Sequence, residues 1–99
     1  MADDPLMVLG NLDPELLKMV RRTSELAMAD GALPKKTKLL IAMALDASHG
    51  AVEGVAALAR AALQAGATKQ EIAETLRVVH YISGAGGIYT AAHALAEVR

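Results

Sequence analysis

LPKKTKLLIAMALDASHGAVEGVAALARAALQAG, from Leu33 to Gly66, is the stretch whose reading decides the fold. Pro34 can open a helix, because its missing N–H would lack a partner there anyway. Leu39 to Leu45 is apolar on every side, the pattern of a helix buried all round. That places it at the centre of the fold or of an assembly. Asp46-Ala47-Ser48-His49-Gly50 breaks the run. In the helix that follows, Val52, Val55, Ala59, Ala62 and Leu63 share one face until Gly66 ends it. Lys35, Lys36 and Lys38 crowd the positive end of the first of these helices, where a solvated turn and an anion-binding patch are the alternatives.

The same logic extends outward in both directions. Asp13-Pro14-Glu15 supplies an N-cap side chain, a proline at the first helical position and an acid facing the dipole. Leu16, Val20, Thr23 and Ala27 then fall on one face, and Gly31 is the expected left-handed cap. Residues 1–11 read as a loosely held N-terminal arm, and residues 12–99 as one helical domain. Thr68-Lys69-Gln70-Glu71 is a capping box, followed by Ile72, Leu76, Val79 and Ser83 on an inner face. Ser83 to Gly87 ends or interrupts that helix. A final one, from about Ile88 to Glu97, carries Tyr89, Ala92, His93 and Ala96 along one side. No strand pattern competes, so the expectation is an all-α bundle of five helices.

Composition narrows the function classes. The chain has 99 residues, 54% of them hydrophobic, about a fifth alanine, with no Phe or Trp. A short chain has much surface for its volume, so this apolar content predicts burial against further copies of itself. A net charge of -1 gives no electrostatic footprint for nucleic acid. There is no cysteine, hence no disulfide and no thiolate metal ligand, which fits a cytoplasmic protein. MADDPLMVLG lacks a basic region and does not read as a secretory signal. No apolar run is long enough to span a bilayer. The five methionines read as core fillers.

LPKKTKLLIAMAL (33–45), ARAALQAGATKQEIAETL (59–76), the Gly-rich break and AAHALAEV (91–98) together resemble the carboxymuconolactone decarboxylase family, which includes the alkyl hydroperoxidase D-like proteins. The resemblance implies an all-α fold and a homo-oligomer, a trimer or hexamer. In the peroxidase branch a Cys-x-x-Cys motif opens the third helix, with a His four residues further on and a Glu about a dozen residues before. Aligned without gaps on RAALQAGAT, those positions here are Ala51, Gly54, Leu58 and Leu39. Peroxide reduction needs a thiolate nucleophile and a second thiol to resolve the sulfenic acid. A methyl, a hydrogen and two isobutyl groups supply neither thiols nor a proton relay. Thiol peroxidase activity is therefore expected to be absent. The decarboxylase branch needs no thiol, but it too usually carries His at the position of Leu58.

The remaining polar candidates each have two readings. His49 and Glu53, beside the turn, form an acid–base pair or a solvated turn. Arg60, at a basic position common in the family, binds a substrate carboxylate or pairs across a subunit boundary. His80 and His93, with Tyr81 and Tyr89 nearby, face a common pocket or sit as satisfied histidines. Two histidines without an acidic ligand make a thin metal signal, and no metal is expected. Gly84-Ala85-Gly86-Gly87 is no phosphate loop, since no strand precedes it and no Lys follows, so no cofactor is expected. Two functions remain. One is a cofactor-free, decarboxylase-like enzyme for a small carboxylated substrate, with Arg60 as anion clamp and His49, His80 or His93 as proton donor. The other is a non-catalytic oligomeric module that binds a small molecule or serves as a scaffold.

Overall fold

The Asp13 carboxylate accepts the Leu16 N–H at 3.1 Å and starts a helix with Pro14 in its first turn. Thr68 and Glu71 start another, each capping the other's backbone N–H, at 3.0 and 2.8 Å. Both starts lie where the sequence puts them. The computed structural model describes residues 5–98, which form six helices: α1 (Leu6–Leu12), α2 (Pro14–Met28), α3 (Lys35–Ser48), α4 (Val52–Gln64), α5 (Lys69–Ser83) and α6 (Ala85–Leu95). Among these residues there is no strand, and no helix is long and apolar enough to cross a membrane.

The core is a layer of small side chains. Met43 and Ala47 of α3, Val55, Ala56 and Ala59 of α4, Ile72 and Val79 of α5, and Ala91 and Ala94 of α6 are buried together. Alanine seams let helix axes approach closely. At Gly87 of α6 a Cβ would meet Val79 Cγ1 at 2.7 Å, too close for any side chain. Leu39, Ala62 and Ala67 make a second cluster that Met28, Leu40, Leu58 and Ala61 flank.

Several sequence expectations are corrected. The count is six helices, because residues 6–11 of the expected arm, together with Leu12, form α1, too short for a periodic signal. Residues 1–4 of that arm, and Arg99, lie outside the described residues. The last helix begins at Ala85, not Ile88: Gly84 alone makes the break, at φ 81° and ψ -169°, a conformation essentially reserved for glycine. Gly31 is not a left-handed cap; α2 ends at Ala29 in extended backbone. The expected face of α2 covers nothing fully, since that helix has no buried residue. On α5, Ser83 is exposed rather than inward. Along α3, Leu39 and Met43 are buried but Ile41 and Leu45 are 45% and 55% exposed, so the helix is not buried all round within the chain.

The lysines of α3 are structural ties. Lys36 Nζ lies 3.0 Å from Glu71 Oε2, joining α3 to α5. Lys38 Nζ donates to the Ala29 carbonyl, and Asp30 Oδ1 accepts the Lys35 N–H at 2.9 Å, fastening the α2–α3 connection. The Thr68 backbone N–H, then the Lys36 ammonium, hold the Glu71 carboxyl below its usual range. A carboxylate whose pKa falls on folding contributes stability above the ordinary carboxylate range, and that contribution disappears as pH drops through the folded value. Glu71→Gln is thus expected to lower the urea midpoint at pH 7, by a gap that narrows toward pH 3. Thr68→Ala is expected to cost about 1 kcal/mol at neutral pH.

Candidate functional site

The turn between α3 and α4 is built by backbone bonds to Asp46, whose carbonyl accepts the N–H groups of His49 at 3.2 Å and Ala51 at 2.9 Å. Gly50 takes φ +79° between them, the left-handed region that reverses the chain. Ala51 caps α4, and Gly54 sits in its first turn. The Asp46 carboxylate packs over Gly54: a Cβ at that position would collide with it. Negative charge at a helix N-terminus is favourable. The position corresponding to the second thiol is therefore filled by a neighbouring carboxylate, a replacement that the sequence reading, looking for hydrocarbon, missed. The available signal was a glycine in a helix's first turn eight residues after an acid.

Hydrocarbon does fill the two relay positions. Leu39 is 5% exposed and packs with Ala62 and Ala67. Leu58 packs against both core clusters. The seam between α3 and α4 is occupied by these side chains.

The polar candidates are spread over four helices. His49 caps α3 and Glu53 lies in the first turn of α4, and both are exposed. Arg60 donates to the Glu97 backbone carbonyl at 3.1 Å, tying α4 to the chain beyond α6. His80 lines a shallow recess with Arg77, Leu76 and Ile88. His93 is not among its lining residues; it lies exposed on the outer side of α6 with Tyr89, Ala92 and Ala96, while Gly87, Ala91 and Ala94 face inward. None of His49, Glu53, His80 or His93 makes a side-chain hydrogen bond or ion pair among the described residues. No three of the described His, Asp and Glu side chains gather as a metal site requires.

A ligand-sized groove lies elsewhere, between α4, α5 and α6. It holds about 320 Å³ and is lined by Leu63, Ile72, Ala73, Leu76, Leu95 and Val98, with Lys69 as its one charged lining residue. Sequence reading saw Lys69 only as part of a capping box.

The profile of the carboxymuconolactone decarboxylase family matches residues 14–97. A carboxymuconolactone decarboxylase family protein from Legionella pneumophila, whose crystal structure was solved in the apo form, superposes with a TM-score of 0.84 at 34% identity. The match covers 92% of this chain and 81% of that one. An uncharacterized protein of Cupriavidus necator is 33% identical over 88 residues, 89% of this chain and 78% of its own length. The chain belongs to the carboxymuconolactone decarboxylase family.

Proposed function

We propose that the chain is a non-redox, ligand-binding member of this family that works as an assembly of identical subunits. The observation that carries this reading is the replacement of the reactive seam: Leu39 and Leu58 pack where the proton relay would stand, and Asp46 covers Gly54. A cysteine-free chain has no thiolate to oxidise. The decarboxylase-like alternative asks Arg60 to hold a substrate carboxylate, but within the protomer its guanidinium is already engaged by the Glu97 carbonyl.

The ligand this reading assigns is a small apolar acid. The groove at α4, α5 and α6 has the volume of a small-molecule site and an apolar wall. Lys69, without an ion pair among the described residues, stands in the first turn of α5, where the helix dipole adds to its charge. Calorimetric titration with naphthalene-1-carboxylate and with uncharged naphthalene-1-methanol tests this. Lys69→Ala is expected to weaken the carboxylate about three- to tenfold and leave the alcohol unchanged. Leu76→Trp, which fills the groove, is expected to abolish both. Equal binding to wild type and Leu76→Trp would remove the groove as a site, and peroxide turnover by metal-free protein would overturn the non-redox reading.

A further inference from the structure

The protomer has more surface than its mass accounts for. It exposes 7036 Å², whereas a folded monomer of 10.3 kDa exposes about 5,400 Å² by the scaling of area with mass. Its radius of gyration is 14.4 Å, against about 12.6 Å for a self-contained chain of this length. The excess, about 1,600 Å², is the area of a full protein–protein interface.

The α1–α2 hairpin carries much of the uncovered apolar surface. Neither helix has a buried residue, and α2 meets the rest of the protomer through light contact with α3. Leu16, Met19 and Leu26 are 42%, 65% and 81% exposed. With Thr23 they are spaced three, four and three residues apart, a continuous stripe along one side of α2. Met7, Val8 and Leu12 of α1 are uncovered as well. An amphipathic helix of this length owes its stability to packing of that stripe, not to intrinsic propensity.

The body of the protomer has a counterpart. Between α3 and α5 runs a groove of about 340 Å³, walled by Leu40, Ile41, Ala44, Leu45 and Val78. Ile82, 73% exposed, continues the apolar row along α5. Helix α2 has 15 residues and α3 has 14, about 22 and 21 Å of helix, so one lies along the other without overhang. We propose that two copies of the chain exchange hairpins: the Leu16–Met19–Leu26 stripe of each lies in the α3/α5 groove of the other. Each copy then covers two surfaces, hairpin and groove. At about 800 Å² apiece, the usual contribution of one partner, these match the excess. The inference rests on the self-associating part of the function proposed above and is independent of the ligand groove.

Sedimentation equilibrium of the full chain, between about 1 and 100 µM, tests it with two single substitutions on exposed positions, Met19→Lys and Val78→Glu. Wild type is expected to be dimeric or larger. Each variant alone is expected to associate at least about a hundredfold more weakly, because each exchange would desolvate an unpaired charge, with its helical circular dichroism retained. An equimolar mixture of the two is expected to regain association, since one exchange then pairs Lys with Glu and the other is wild type on both sides. A groove-to-groove dimer would leave Met19→Lys unaffected, and that result would overturn the proposal. So would a monomeric wild type or a mixture that stays dissociated. Loss of naphthalene-1-carboxylate binding without any change in association would strike the ligand groove alone.

Discussion

Leu39→Glu is expected to remove most of the chain's stability at neutral pH and to return part of it on acidification. The substitution restores the acid that the family's peroxidase branch carries at this position, but Leu39 is 5% exposed among Ala62, Ala67, Met28, Leu40 and Leu58. The side chains packed around it are apolar, and the nearby Lys36 is already paired with Glu71. An unpaired buried carboxylate costs about 3–5 kcal/mol, and a chain of this size has only about 5–10 kcal/mol to lose. The group escapes part of the cost by taking up a proton, so its pKa in the folded state stands above the unfolded value of about 4.3. The deficit is therefore smallest below that value and grows as pH rises toward the folded pKa. Urea denaturation of Leu39→Glu and Leu39→Gln between pH 4 and 7 checks this. Glutamine should be destabilised by an amount nearly independent of pH, while glutamate should fall below it as pH rises. Wild-type stability for Leu39→Glu at pH 7 would mean that the seam still has room for a solvated acid, and the non-redox reading would lose its main support.

Met43→Ala is expected to cost close to the upper end of the 2–5 kcal/mol range for such truncations, lowering the melting temperature by roughly 15–30 °C. Met43 is fully buried, and seven of its eight buried cluster neighbours are alanine or valine. A methyl group has no rotamer with which to fill a neighbouring void, so the hole left by the thioether persists unless whole helices move. Met43→Leu, nearly equal in volume, is expected to stay within about 1.5 kcal/mol of wild type. Thermal melts of the two variants at one fixed protein concentration separate the cavity from the change of residue type.

The framework was legible wherever side chains act on their own backbone. Asp13-Pro14 and Thr68–Glu71 announce helix starts through hydrogen bonds closed within a few residues. Gly66 ends α4, and the alternation of Val55, Ala59 and Ala62 marks its buried face. What sequence could not supply was anything decided between helices. Gly86 and Gly87 read as a break, yet both lie within α6, and Gly87 is small because Val79 of α5 leaves no space for a side chain. Helix α1 has seven residues, too few to display a period. The family positions Leu39, Ala51, Gly54 and Leu58 were legible from the resemblance, but the Asp46 carboxylate over Gly54 was not, because only the turn at Gly50 brings them together. The grouping of His80 with His93 came from chemistry alone, and in the structure both side chains are exposed, with no hydrogen-bond or ion-pair partner among the described residues.

The absence of Trp, together with the position of Tyr81 at 85% exposure and Tyr89 at 70%, has an optical consequence. No aromatic ring stands in the interior, so intrinsic emission carries little information about whether that interior is intact. In the hairpin exchange proposed above, Tyr81, exposed and three residues beyond Val78 on α5, would instead lie beside the second copy. Tyrosine anisotropy of this chain should follow dilution more closely than heating, which makes it a built-in gauge of company rather than of integrity.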